Sequence, residues 1–363
     1  MKVFITGVTG FLGKQFLLEL LKEDNITVYM TVRSKRADDV HKQLLQLGIA
    51  YNQKIILVKL DIGEPVDTFN FSSIPEDIDE FWHIAGLTDF HESKREQLFQ
   101  VNVGGTRNVI SLAKKINVRC FFHISTAYVS GICDGPVQED GLLHSPTFRN
   151  PYEETKYEAE CLIRKSGLPF IIIRPSIIMG DSRTGEISVD KMIYGIFKTY
   201  HIVWRLVNRE YRDGLPKELK YYVKGNPSAT KNLICVDDVV RLMLEIRRKG
   251  EIGRTYHCTN PQTIPIGKLH EIGLKLLDMT FLEMKGDFSP DVTDSKQRII
   301  DRGMAVYQDY LLRSDPIFDQ TNLNKVTVHT PVAMDFSVVW FLFDVYLKKL
   351  NKTSKGNSER SMG

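Results

Sequence analysis

Tyr152 and Lys156 stand four residues apart in the run Asn150-Pro151-Tyr152-Glu153-Glu154-Thr155-Lys156. This run reads as the start of a helix that ends near Lys165, before Gly167. On a helix, that spacing puts a phenol and an ammonium on one face. A phenol at its ordinary pKa of about 10 is a poor proton carrier near neutrality. An ammonium beside it favours the phenolate and brings the pKa towards the working range. A hydroxyl from Ser125 or Thr126, delivered by the apolar run 119–124, would then hold a reacting carbonyl oxygen. The competing reading is an exposed helical surface, because this spacing arises often by chance. The elements that precede it decide its weight.

The chain opens on Val3-Phe4-Ile5-Thr6-Gly7-Val8-Thr9-Gly10-Phe11-Leu12-Gly13, a short apolar run followed by three glycines spaced three apart. Phe16, Leu17, Leu20 and Leu21 then follow at helical spacing. Strand, glycine turn and helix N-terminus aim free N–H groups and a helix dipole at one spot, which suits an anion. In a dinucleotide-binding unit Gly7 permits the tight turn, Gly10 lets a pyrophosphate approach, and Gly13 lets helix and strand pack closely. An ordinary βα turn is the alternative. A second strand, 26–32, leads into Arg33-Ser34-Lys35-Arg36, and no carboxylate lies between Asn25 and Ala37. NAD-type units place Asp or Glu there for the ribose 2′-OH, whereas cations suit a 2′-phosphate. NADPH is therefore expected over NADH, held by Arg33, Ser34 and Lys35, unless the cluster is only a solvated basic turn.

The remaining elements place further candidates. Helical sequence covers 38–47, and a strand at 54–60 ends in Asp61-Ile62, where the acid reaches an adenine amino group or caps a turn. A strand at 81–84 ends in Ala85-Gly86, whose small size leaves room for ribose and pyrophosphate, and His83 within it reads as a packed strand histidine. One long helix is expected over 94–116, with Asn102 a polar residue among core positions that needs buried partners. The strand 169–174 closes the nucleotide domain, and Pro175 and Ile177 lead away from it. Beyond lie a strand at 232–236, helix to Arg248, a strand at 254–258, a helix at 266–277 and an amphipathic helix at 338–350.

The 363 residues, 42% hydrophobic, are ample for a large core and long for one minimal sheet, so a second lobe is expected. A net charge of +3 argues against a nucleic-acid partner. The five cysteines show no CxxC or metal-ligand spacing and read as reduced thiols in a cytoplasmic protein, with no metal. No secretory leader fits, and the apolar run 338–343 is too short to span a bilayer. Lys198, Arg205, Arg209, Arg212, Lys217, Lys220 and Lys224, interleaved with aromatics, form either a docking rim for an anionic substrate carrier or a solvated face.

Thr6-Gly7-x-x-Gly10-x-x-Gly13, Ser125-Thr126, Tyr152-x-x-x-Lys156, Arg174-Pro175 and Val236-Asp237-Asp238 together resemble the extended short-chain dehydrogenase/reductases, over roughly 1–258. The resemblance implies an α/β fold. Its Rossmann, doubly wound parallel sheet would span 1–175 and bind NADP. A smaller, interleaved C-terminal substrate-binding lobe would follow at 176–350, with segments returning to the first domain around 232–260. Residues 351–363 would form a disordered tail. By position, Thr126, Tyr152 and Lys156 match the family's catalytic residues, and Asn102 matches the asparagine that supports the lysine. The expected cofactor contacts are then Gly7, Thr9, Gly10, Phe11, Leu12 and Gly13, the Arg33 cluster, Asp61, Ile62, Ala85, Gly86, Asn102, Ser125, Tyr152, Lys156, Pro175 and Ile177. Within the family, Phe121-Phe122-His123-Ile124-Ser125-Thr126-Ala127-Tyr128 and Gly180-Asp181-Ser182-Arg183-Thr184-Gly185-Glu186 look like the thioester reductase and fatty acyl-CoA reductase branch. That likeness implies NADPH-dependent reduction of acyl groups carried on coenzyme A or an acyl carrier protein. A ketone or aldehyde reductase and a sugar-nucleotide epimerase or dehydratase are the alternatives. The epimerase reading is disfavoured by Arg33 and by Ala127-Tyr128 after Thr126.

Overall fold

A computed structural model describes residues 1–33, 42, 44–46, 54–65, 74–187, 190–286 and 293–360, the last eight by backbone alone. Its first compact unit comprises Met1–Ser176, Asp237–Thr259 and Pro316–His329. Seven strands form its sheet: β1 (Lys2–Thr6), β2 (Thr27–Val32), β3 (Ile55–Lys59), β4 (Glu80–His83), β5 (Cys120–Ile124), β6 (Phe170–Pro175) and β7 (Thr255–Cys258). Their order is β7-β6-β5-β4-β1-β2-β3, with all neighbours parallel. The order reverses direction at β1, the switch point where such sheets open a crevice beyond their carboxyl ends.

Alternation along the strands feeds two cores. Phe4, Phe81 and Phe121 point to one face, with ring centroids 4.7 and 5.1 Å apart along the row. They pack with Val109, Leu112 and Ala113 of helix α2 (Gly105–Lys115) and with Ile163 of helix α3 (Pro151–Lys165). On the other face Trp82 sits between Phe122, at 4.0 Å, and Phe16 of helix α1 (Phe11–Leu20), at 4.3 Å. The strands are apolar on both sides, as a sheet covered by helices on both faces requires.

α3 starts where its sequence predicts. Asn150 caps it by accepting from Glu153 N, Pro151 occupies the first turn, and Glu153 reaches back to Arg149 N. Its far half is held by a buried ion pair. Arg174 of β6 donates to both carboxylate oxygens of Glu160, at 2.8 and 2.7 Å, and neither side chain is more than 1% exposed. The other guanidinium hydrogens go to the carbonyls of Glu139 and Gly141 and to Nε2 of His257. Burial pushes the Glu160 carboxyl up, but the Arg174 and Arg164 guanidiniums hold it below its ordinary value. Buried Glu139 in turn accepts from the backbone N–H groups of His257, Asn322 and Leu323, clamping the returning segment onto β7.

The helix expected over 94–116 is present, with an irregular turn inside it. Arg95–Leu98 is α-helical, Phe99–Gly104 is a π-helical turn, and α2 begins only at Gly105. Gly104 and Gly105 lower the cost of the irregular turn, and Asn102 sits inside it. The helix expected over 38–47 lies almost wholly outside the described residues.

The second unit comprises Ile177–Val236, Asn260–Asp315 and Thr330–Gly363. Short parallel pairs, Ile177–Met179 with Leu233–Cys235 and Tyr221–Lys224 with Leu282–Lys285, accompany helices Ile193–Glu210, Ile266–Leu276 and Ser295–Met304. The chain thus crosses between units at 176 and 237, and again at 260, 316 and 330. The last helix runs Phe336–Arg360, so most of the segment read as a disordered tail from 351 continues it by backbone. Nothing in Asn351–Arg360 forces termination, since it contains no proline. Among the described residues no helix is long and apolar enough to cross a membrane.

Removing one partner of a buried pair strands the other charge and typically costs about 3–5 kcal/mol, while replacing both with apolar residues costs far less. Arg174→Met should therefore lower the urea midpoint sharply, and Arg174→Met with Glu160→Met should recover part of that loss. Additive losses in the double variant would show that the two side chains act separately.

Candidate active site

The parallel sheet brings most of the predicted residues to one edge. Gly7 follows β1, Arg33 follows β2, Asp61 and Ile62 follow β3, and Ala85 and Gly86 follow β4. Ser125 and Thr126 follow β5, and Pro175 ends β6. Ser34 and Lys35 lie outside the described residues. Ile177 belongs to the second unit.

The glycine turn is as tight as a phosphate cradle needs. Gly7 has φ +84°, and a Cβ there would sit 2.4 Å from Ala85 N. A Cβ on Gly13 would sit 2.2 Å from the Gly7 carbonyl oxygen. Gly10 N donates to Gly7 O at 3.0 Å, and α1 starts with no side-chain cap and no acid in its first turn. The N–H groups of Phe11, Leu12 and Gly13 have no partner inside the helix, which leaves them for an anion. The turn therefore fits a dinucleotide pyrophosphate. Arg33 is exposed at the end of β2. Asp61 caps its own turn, accepting from Gly63 N at 3.0 Å, while Ile62 is buried.

Tyr152, Lys156 and Thr126 converge at the same edge. The Tyr152 ring meets Phe90 edge-on at 5.7 Å. Burial raises its hydroxyl to about 12, against the hydroxyls of Thr88 and Thr126 beside it. This differs from the expectation that the ammonium would bring the phenol down: burial dominates, and the opposing groups are the two threonine hydroxyls. Burial also lowers Lys156 to about 8, with Glu160 opposing, and its Nζ donates to Ile124 O at 2.6 Å. Thr126 is 5% exposed, and its Oγ1 accepts from Tyr128 N and donates to Pro175 O at 3.5 Å.

Asn102 does not touch Lys156 through any recorded hydrogen bond. Its Oδ1 accepts from Leu87 N at 2.7 Å, and its Nδ2 donates to Leu87 O and to Thr155 Oγ1, each at 3.0 Å. Thr88 and Phe90 escaped sequence reading because they follow β4 in an irregular loop with no motif. Gly13→Ala is expected to weaken nicotinamide-dinucleotide binding by at least about tenfold, or ~1.4 kcal/mol, in a fluorescence titration, because the added carbon overlaps the turn. Unchanged binding would show that the turn does not hold the cofactor.

Comparison with known proteins places this geometry. The family described as Male sterility protein, an NAD-binding family, matches residues 5–243. The nonribosomal peptide synthetase asaC of Aspergillus flavus is 31% identical over 292 residues, covering 72% of this chain and 26% of that protein. Human fatty acyl-CoA reductase 1 is 29% identical over 316 residues, covering 72% of this chain and 58% of that protein. The chain thus spans only part of the length of these relatives. The terminal R domain of the myxalamid PKS-NRPS pathway shares the fold with a TM-score of 0.76 and 24% identity, over 97% of this chain and 91% of that one. The glycine turn, the parallel sheet and the family match agree: this chain belongs to the Male sterility protein family of NAD-binding proteins.

Proposed function

We propose that the chain reduces acyl thioesters, carried on coenzyme A or an acyl carrier protein, to an aldehyde or alcohol with NADPH. The observation that carries this reading is the convergence of Tyr152, Lys156 and Thr126 beside a dinucleotide-type glycine turn, in a chain whose relatives include a peptide synthetase and a fatty acyl-CoA reductase. A bound reduced nicotinamide supplies hydride. The chain's residues do the rest. Thr126 Oγ1 and the Tyr152 hydroxyl hold the thioester carbonyl oxygen and stabilise the charge that develops there. The carbonyl carbon gains hydride, its C–S bond breaks, and the thiol leaves with a proton. Tyr152, which keeps its proton near neutrality, is the proton donor. Lys156, anchored on Ile124 O, keeps N–H groups for a ribose and favours the phenolate once the proton has moved.

Arg33 with Ser34 and Lys35 is proposed to hold the 2′-phosphate, and Asp61 or Ile62 to border the adenine. The carrier-docking reading of the basic stretch rests on Arg209, Arg212 and Lys217, which are exposed, whereas Lys198 and Lys220 pair with Asp190 and Glu283. A cytoplasmic location accords with the five free cysteines.

Tyr152→Phe removes the proton and keeps most of the volume. Loss of general acid catalysis should lower kcat by about 100-fold or more with little change in Tm. Near-normal turnover at saturating substrate would remove Tyr152 from the mechanism. Arg33→Asp should weaken NADPH and relatively favour NADH in the same titration, and equal affinity of the unmutated chain for both cofactors would contradict the phosphate assignment.

A further inference from the structure

His83 ends β4 and is 1% exposed, between the end of β1 and α2. Its Nδ1 lies 2.9 Å from Thr6 Oγ1, and its Nε2 lies 3.1 Å from Thr106 Oγ1. Thr106 has one hydroxyl hydrogen and gives it to Asn102 O at 2.6 Å, so it accepts from His83. The proton therefore sits on Nε2. Nδ1 is then an acceptor, Thr6 donates to it, and the Thr6 oxygen accepts Ala85 N at 3.3 Å. This tautomer follows from the network. Beyond Asn102 the bonds continue: Asn102 Nδ2 donates to Thr155 Oγ1, and Thr155 Oγ1 donates to Tyr152 O at 3.0 Å.

We propose that His83 is a positioning residue, whose neutral Nε2–H imidazole ties the strand bearing the glycine turn to the π-helical turn holding Asn102, and through Thr155 fixes the first turn of the helix that presents Tyr152. The proposal rests on the reading of Tyr152 as proton donor. An imidazole meets the geometry because it is a rigid ring with a donor on one side and an acceptor on the other. A fully buried ring with either nitrogen unpaired would be costly, so the two threonines lock its orientation as well as its tautomer. Burial, with the Lys156 charge, lowers its pKa to about 3, so the neutral form persists near neutrality. The irregular turn at Phe99–Gly104 has a role here: it carries the asparagine whose carbonyl takes the Thr106 hydrogen and whose amide takes both backbone groups of Leu87.

Thr106→Val keeps the volume and removes the acceptor. Misplacing a reacting group by about 1 Å costs up to ~100-fold, so kcat should fall about tenfold while KM for the thioester stays within about twofold. In a Tyr152→Phe background the same substitution should change the residual rate by less than about twofold, because no phenol proton remains to be placed. An equal loss in both backgrounds, or an effect on KM alone, would overturn the proposal. A readout independent of activity is the long-range 1H–15N spectrum of the His83 ring in the full chain. It should show the Nε2–H tautomer, with the Nδ1 partner retained in Thr106→Val and lost in Thr6→Val. An Nδ1–H tautomer, or a ring that titrates near neutrality, would overturn the relay whatever reaction the protein performs. If Tyr152→Phe keeps full turnover, the catalytic use of the relay is refuted with that reading, and the spectrum then decides its structural part.

Discussion

The buried bidentate pair between Arg174 and Glu160 fixes helix α3 on the sheet. A guanidinium has five donors in a fixed plane, and here they bridge the Glu160 carboxylate, two loop carbonyls and the His257 ring. Rotation of α3 about its axis would break that geometry and strand two charges out of water. Tyr152 and Lys156 lie about two turns and one turn before Glu160 on the same helix, so their direction is set by a contact with no chemistry of its own. The capping of the same helix by Asn150 and Glu153 fixes its start, leaving little freedom between the two ends.

Around that helix, the parallel sheet does the gathering. Every strand that contributes to the site does so from its carboxyl end, and the seven-strand order opens the crevice beside β1. Glycine is required where the turn crosses the next strand, at Gly7 against Ala85, and where α1 leaves the sheet, at Gly13 against Gly7. Small polar residues then connect what the backbone has brought close. Asn102 holds the loop after β4 by both backbone groups of Leu87, and that loop carries Thr88 beside the phenol.

Much of this was legible in the sequence because it is local. Glycines spaced by three, a phenol and an amine spaced by four, and apolar runs that end in small residues each report on one turn of chain. The helix expected around Asn102 formed, but the π turn at Phe99–Gly104 inside it leaves no mark in the apolar spacing. The Tyr152 hydroxyl rises because the fold buries it, which residue spacing does not report. The Glu139 clamp joins residues more than 100 positions apart and leaves no pattern in either segment. Asp61 kept both of its sequence readings open, and the structure shows it capping a turn.

The central claim is that the carbonyl held by Thr126 and Tyr152 belongs to a thioester. It is tested most directly by incubating the chain and NADPH with an acyl-CoA, an acyl carrier protein, a free aldehyde and a sugar nucleotide, while following NADPH loss and free thiol together. The account predicts that a thioester oxidises NADPH and releases thiol in proportion, and that the sugar nucleotide does neither. Turnover of the sugar nucleotide or of the aldehyde alone, with no thiol released from either thioester, would contradict it.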